Sequence, residues 1–62
     1  MERLIAPSAI QPGDLIKFSD NNVGLVRFVE GPDRIGTYEV GLVDNSGAGK
    51  FEIINTPVTI IM

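Results

Sequence analysis

Hydrophobic residues cluster in five short runs, and turn-forming residues separate these runs from one another. The runs are 14–18 (DLIKF), 23–30 (VGLVRFVE), 37–44 (TYEVGLVD), 50–54 (KFEII) and 58–62 (VTIIM). They are rich in β-branched and aromatic residues, which favour strands, and no window shows the apolar spacing of an amphipathic helix. The pattern therefore predicts an all-β fold, a five-stranded small antiparallel barrel.

Turn formers also set the predicted domain organisation. Clusters of Gly, Pro, Asn, Asp and Ser fall at 12–13, 19–22, 31–33, 45–47 and 55–57. We predict one domain over residues 1–62, with an N-terminal arm at 1–13 and the barrel at 14–62. A chain of 62 residues is close to the lower limit for independent folding. It has no Cys and no His, so association is the remaining common source of extra stability.

The hairpin registers predict which side chains point into the barrel. Pairing Asp44 with Gly49 across the fourth turn places Phe51 opposite Leu42. Placing Val26 opposite Leu42 across the third turn continues the same face, and a one-residue slip would invert a strand. The predicted inward set is Ile16, Phe18, Val26, Phe28, Tyr38, Val40, Leu42, Phe51 and Ile53.

The opposite face holds more apolar residues than a solvated face requires. Besides charged residues, it carries Leu15, Leu25, Val29, Val43 and Ile54, and both chain ends are apolar on two faces. Burying one Val, Leu or Ile contributes about 1.5–3 kcal/mol, so exposing several is costly for a small domain. Either the chain ends cover the barrel, or these residues form a protein interface, which we favour. The predicted interface residues are Leu4, Ile5, Leu25, Val29, Val43, Ile54, Val58, Ile60, Ile61 and Met62.

The run 45–51 (NSGAGKF) invites comparison with a phosphate-binding loop. Such a loop needs Gly where Asp44 stands and Ser or Thr where Phe51 stands. An EF-hand calcium loop fails as well, because Ala48 and Asn55 occupy its fifth and twelfth positions. No His or Cys is present to activate a serine or replace it. We therefore predict a turn, no enzymatic activity, no catalytic residue, no cofactor and no metal site.

The alternative function is nucleic-acid binding by an SH3-like or Sm-like barrel involved in RNA or DNA processing. The net charge is −3 and the sequence shows no basic stripe, and both observations count against nucleic-acid binding. In a meander, Asn21 and Asn22 share one rim with the 45–50 turn, and Arg34 shares the other with Asn55. The predicted contacts are Asn21, Asn22, Arg34, Lys50 and Asn55, unless these are ordinary solvated turn residues.

Three resemblances bear on function. Residues 24–28 (GLVRF), 36–38 (GTY), Asp44 and Gly49-Lys50 resemble CAP-Gly domains, which implies a groove for acidic peptides. That family's Gly-Lys-Asn-Asp-Gly run is here Gly-Lys-Phe-Glu-Ile. The whole chain resembles the SH3-like and Sm-like barrels, and the Sm-like branch implies a ring of subunits. Residues 11–26 (QPGDLIKFSDNNVGLV) resemble short proteins of tailed bacteriophages, which implies a virion accessory or a nucleic-acid processing factor.

The leading hypothesis is a non-enzymatic structural or adaptor subunit that self-associates or docks on a larger assembly. The first ten residues carry charges of both signs and an apolar run too short for a signal peptide. No stretch is long enough to cross a bilayer. We accordingly predict a cytoplasmic location, or a virion if the protein is phage-encoded, and no membrane partner.

Overall fold

A computed structural model describes residues 1–18 and 22–62. These residues form one antiparallel sheet of six strands, in the order β1-β6-β2-β3-β4-β5. The strands are β1 (Glu2–Ile5), β2 (Leu15–Lys17), β3 (Val23–Glu30), β4 (Tyr38–Asp44), β5 (Gly49–Ile54) and β6 (Val58–Ile61), with one 3-10 turn at Pro7–Ala9. The all-β class is confirmed. The sixth strand is β1, which pairs with β6 and lies in the segment predicted as the N-terminal arm.

The sheet curls strongly but is not closed into a barrel. β5 and β6 stand four strands apart in the sheet, yet only residues 55–57 connect them. In a flat sheet they would lie about 19 Å apart, at roughly 4.8 Å per strand. The connecting chain reaches about 14 Å at most. The sheet must therefore bend until the end of β5 approaches the start of β6, while β1 and β5 remain its two edges.

The core fills the concave side of this sheet. Its buried residues are Ile10, Ile16, Val26, Val40, Leu42, Ile54 and Ile60, and Ile5, Phe18, Val29, Tyr38 and Val58 pack against them. Four residues of the predicted inward set, one on β2, one on β3 and two on β4, are buried as expected. Ile10 follows the 3-10 turn and enters the core at 5% exposure, so the predicted arm contributes to it.

The turn between β4 and β5 sets a register that differs from the predicted one. The N–H of Asp44 donates to the carbonyl of Ala48 at 2.9 Å, and the N–H of Gly47 donates to the carbonyl of Asp44 at 3.0 Å. Gly47 has φ of 87°. The hairpin loop therefore has three residues, 45–47. It is a type I turn whose last loop residue, Gly47, adopts the left-handed conformation. Asp44 faces Ala48, and the predicted pairing of Asp44 with Gly49 is wrong.

This difference of one residue turns β5 over. Phe51 lies opposite Gly41 and Ile53 lies opposite Glu39, both on the outer, convex face. Phe51 is 63% exposed and Ile53 is 66% exposed, whereas Ile54 is 7% exposed in the core. The inward predictions for Phe51 and Ile53 are wrong, and so is the outward prediction for Ile54.

A β-bulge in β3 produces a second correction. Val26 lies opposite Leu42 as predicted, but the register shifts before the next pair, and Phe28 lies opposite Gly41. The extra residue in β3 moves every later side chain of that strand to the other face. Phe28 is therefore on the outer face, and Val29 packs against the core. The sequence had predicted the reverse for both.

Candidate protein interface on the outer face

Two aromatic rings meet on the outer face of the sheet. Phe28 on β3 and Phe51 on β5 flank Gly41, which lies between them on β4. Their ring centroids are 5.7 Å apart and their planes are inclined by 63°, which is the favoured edge-to-face geometry. A Cβ atom at Gly41 would overlap the Phe28 ring. The glycine thus allows the two rings to meet across the strand between them.

An open, largely apolar depression of about 450 Å³ surrounds this aromatic pair. Val43 and Gly49 line it beside the rings, and Arg27 and Lys50 complete its lining. Ile53 lies beyond the depression on the same face of β5 and is largely exposed. The outer face of β3, β4 and β5 is therefore an apolar surface with charged side chains near it.

A row of aliphatic residues continues this surface over the neighbouring strands. Ile61 on β6 lies opposite Leu15 on β2, and Leu15 lies opposite Leu25 on β3. Leu25 in turn lies opposite Val43 on β4. Leu15 and Leu25 are both 37% exposed, and Ile61 and Val43 are half-buried. The apolar outer surface thus crosses four strands in one line of side chains.

The structure separates the predicted interface residues into three groups. Leu4, Leu25 and Met62 are exposed; Ile5, Val29, Val43, Val58 and Ile61 are half-buried; Ile54 and Ile60 are buried. The last two belong to the core of a single chain, so their side chains are not free to contact a partner. Phe28, Phe51 and Ile53 were missed as interface candidates, because the predicted registers placed these exposed apolar residues in the core. Two signals pointed to some of them: the spacing of Asp44 and Gly47, typical of a three-residue hairpin loop, and a glycine in the middle of β4.

Acidic residues border the apolar surface at one end. Glu30, the last residue of β3, lies opposite Glu39 on β4, and Glu39 lies opposite Ile53 on β5. These residues also line a depression of about 340 Å³ together with Asp33 and Tyr38. The polar border beside an apolar centre is the arrangement found in protein interfaces.

The residues predicted to contact nucleic acid do not form one site. Asn22 and Lys50 line the same shallow depression, of about 200 Å³, beside the β4–β5 turn. Arg34 and Asn55 follow strand ends on the opposite rim of the sheet, as the meander predicts. Asn21 lies outside the described residues. The structure thus brings together one pair of the five predicted contacts.

A fixed negative charge stands beside that pair. Oδ1 of Asp44 accepts hydrogen bonds from the N–H of Ser46 at 2.9 Å, its Oγ at 2.7 Å and the N–H of Ala48 at 3.0 Å. The hydroxyl of Ser46, followed by the backbone N–H of Ala48, lowers the pKa of Asp44 below its usual 3.8, and attraction to Lys50 adds to this. The carboxylate is therefore ionised at neutral pH and repels a phosphate there.

The ammonium group of Lys50 contacts an aromatic ring of its own chain. Its Nζ lies 5.0 Å from the centroid of the Phe18 ring, within cation–π range. The backbone of Lys50 belongs to β5, the edge strand of the sheet, and its side chain is exposed. Lys50 is accordingly available both to the turn depression and to anything that pairs with β5.

Comparison with known proteins gives no match: no family model, no curated protein and no solved structure matches the chain. The resemblances to CAP-Gly domains, to SH3-like and Sm-like barrels and to tailed-phage proteins therefore stay predictions. In residues 1–18 and 22–62, no helix is long and apolar enough to cross a membrane. The same part of the chain holds no group of three or more acidic side chains arranged to bind a metal ion.

Proposed function

We propose that the protein is a non-enzymatic structural or adaptor subunit that acts by associating with protein, either copies of itself or a larger assembly. The observation that carries this proposal is the exposure of Phe51 and Ile53 on the outer face, at 63% and 66%, beside the ring of Phe28. Removing one such side chain from water contributes about 1.5–3 kcal/mol. Contiguous exposed apolar surface of this kind marks binding sites on soluble proteins.

The layout of the outer face also supports association over small-molecule binding. The apolar centre is shallow and open, and charged residues such as Arg27, Glu30 and Glu39 stand near it. A small-molecule site is instead concave and encloses most of its ligand. A flat apolar centre with a polar border suits a second protein surface.

We also propose a barrel type and a biological setting for this subunit. The strong curl of the sheet and its short hairpins support an SH3-like or Sm-like barrel type, with the β1 and β5 edges left open. Residues 11–26 support a virion accessory of a tailed bacteriophage through the resemblance described above. Open edges are common sites of assembly between subunits, which agrees with a structural role.

The proposal is tested by measuring the mass of the protein in solution across a wide range of concentration. We expect reversible association that Phe51→Ser and Ile53→Thr each weaken by about tenfold, because each removes exposed apolar area from the interface. Ile35→Ser is the matched control, since Ile35 is 82% exposed in the loop between β3 and β4. Circular dichroism checks that each variant keeps its fold. Monomer mass both in purified form and in material isolated from its natural source would contradict the proposal.

Nucleic-acid binding is the second candidate, favoured by the shared depression of Asn22 and Lys50. Its test is the shift of a labelled single-stranded oligonucleotide at low salt. Salt-dependent binding that Lys50→Ala weakens and Arg34→Ala leaves unchanged would support a site at this rim. No shift of either RNA or DNA at low salt removes the candidate.

A further inference from the structure

β5 is an open edge of the sheet. It pairs with β4 on one side only, and it is six residues long without proline. Gly49, Lys50, Phe51 and Ile53 are exposed along it. An edge strand of this length presents unpaired backbone N–H and C=O groups that another strand can pair with.

The turn fixes which backbone groups are free. Hydrogen bonds in an antiparallel ladder fall on every second residue pair, and the pair of Asp44 and Ala48 is bonded. Counting along β5 from there, Lys50 and Glu52 direct their N–H and C=O groups toward β4. Gly49, Phe51 and Ile53 direct theirs to the open side.

A second β5 strand fits this edge in one favourable register. If two copies pair antiparallel about a twofold axis through Phe51, Phe51 lies opposite Phe51 of the second copy. Gly49 then lies opposite Ile53 of the second copy, so every outward-directed residue meets an outward-directed residue. Each of these pairs exchanges both N–H···O=C bonds. The same register places Lys50 opposite Glu52 of the second copy.

Charge selects this register over its neighbours. Lys50 and Glu52 fall at the positions without hydrogen bonds, where facing side chains are closest. Opposite charges across such a pair stabilise it and like charges destabilise it. Sliding one strand by two residues sets Lys50 against Lys50, or Glu52 against Glu52. Within the described residues, the one ion pair joins Lys17 and Glu2, so Glu52 has no cationic partner in its own chain.

The other edge of the sheet fits a second copy less well. The N–H of Met62 donates to the carbonyl of Met1 at 2.7 Å, which sets the alternation along β1. Only Glu2 and Leu4 then direct their groups outward from this four-residue strand. A twofold pairing about Arg3 would set Arg3 against Arg3, and like charges directly opposite are destabilising. A twofold pairing about Leu4 would set Arg3 opposite Ile5, so it would gain no pair of opposite charges.

We propose that the partner of the β5 edge is β5 of a second copy, paired antiparallel with Phe51 on the twofold axis. This inference rests on the proposed function and gives its self-association a specific surface and register. The join continues the sheet from one copy to the next. It also places the Phe28–Phe51 ring pairs of the two copies side by side on one apolar outer face.

Charge exchange between two variants tests the register. In Lys50→Glu, residue 50 repels Glu52 of the second copy at two symmetric positions, and in Glu52→Lys the same positions hold two lysines. We expect each variant alone to dimerise at least about tenfold more weakly than wild type. An equimolar mixture of the two should restore the dimer as a heterodimer, because every facing pair is then of opposite charge. Arg34→Glu changes the net charge as Lys50→Glu does and should leave dimerisation unchanged.

Amide hydrogen exchange supplies a second readout on the wild-type protein. We expect the amides of Gly49, Phe51 and Ile53 to become more protected as concentration rises. The amide of Ile35, which donates to Oδ1 of Asp33 at 3.0 Å within its own chain, should exchange at a rate independent of concentration. Rescue in the mixture also excludes misfolding of either variant as the cause of its weak dimerisation. A wild-type monomer at every concentration would overturn the strand pairing and leave docking on a different protein as the proposed function. Self-association that is lost in Phe51→Ser but indifferent to both charge variants would overturn the pairing and uphold the proposed function.

Discussion

The rings of Phe28 and Phe51 lie edge to face, 5.7 Å between centroids, on the side of the sheet that faces away from the core. The two residues belong to strands that β4 separates, and they meet because Gly41 lies between them without a side chain. Their placement depends on two local irregularities, the bulge in β3 and the three-residue turn after Asp44. Because of these irregularities, two of the largest side chains lie on the surface and not in the core, where regular strands would have placed them.

Gly41→Ala should destabilise the fold by about 1 kcal/mol, because the added methyl group overlaps the Phe28 ring and displaces it from its contact with Phe51. Urea denaturation measures the change in the free energy of unfolding. Gly49→Ala is the control: the nearest atom to its Cβ would be the carbonyl oxygen of Leu42 at 3.8 Å. Equal losses for the two variants would show that the ring contact across Gly41 is not tight.

Gly47→Ala should cost about 1 kcal/mol in the free energy of unfolding through its backbone alone. Gly47 has φ of 87°, and nothing lies within 4 Å of where its Cβ would be, so no steric clash contributes. Gly47→Asn should lose less, since Asn adopts left-handed conformations more readily than Ala. Thermal unfolding of the three proteins at the same pH ranks them. Asn and Ala variants of equal stability would argue against a left-handed residue at this position.

The ionised carboxylate of Asp44 should stabilise the fold at neutral pH, and this contribution should be lost in acid. Its pKa is lowered in the folded state by the Ser46 hydroxyl and the Ala48 N–H, so its contribution is present above the unfolded pKa and is lost as pH falls through the folded pKa. In Asp44→Asn that contribution is absent at every pH. The stability difference between wild type and Asp44→Asn should therefore shrink as the pH is lowered from neutral to about 2. A difference that stays constant over this range would show that the charge of Asp44 contributes nothing.

Ile10→Ala should cost about 2–5 kcal/mol, although Ile10 lies outside every strand. Its side chain is 5% exposed and packs with the core of the sheet, so truncation leaves a cavity. Ile35→Ala makes the same chemical change at a side chain that is 82% exposed, and it should be nearly neutral. Guanidinium denaturation of both variants gives the comparison. A small effect at Ile10 would show that residues 7–10 do not cover the core.

Much of the fold followed from alternation and turn formers. The strands around Ile16, Val26, Val40 and Leu42 could be predicted because β-branched and aliphatic residues alternate there with polar ones, and these four residues are buried. β1 was missed because its four residues include two charges and follow no turn signal. It is identified only by its partner, β6, at the other end of the chain.

Much of the outer face was predicted wrongly because its register depends on single residues. Counting the β4–β5 loop as four residues rather than three exchanges the faces of Phe51 and Ile54. The bulge exchanges those of Phe28 and Val29, and no residue type between them announces it. Alternation shows which side chains share a face of a strand, but not which face points to the core. The sequence therefore predicted a surplus of apolar surface but assigned several of its residues wrongly.

The strand order has a consequence for how the domain assembles and opens. β3, β4 and β5 are joined by short connections, whereas β1 pairs with β6 across nearly the whole chain. Closing so long a loop costs more entropy than closing a hairpin, so we expect the three-stranded meander to gain its contacts first and β1 to dock last. Native-state amide exchange should accordingly show β1 detaching before the meander. One margin of the sheet is then easily loosened, while the margin that carries Phe51 persists until the whole domain unfolds.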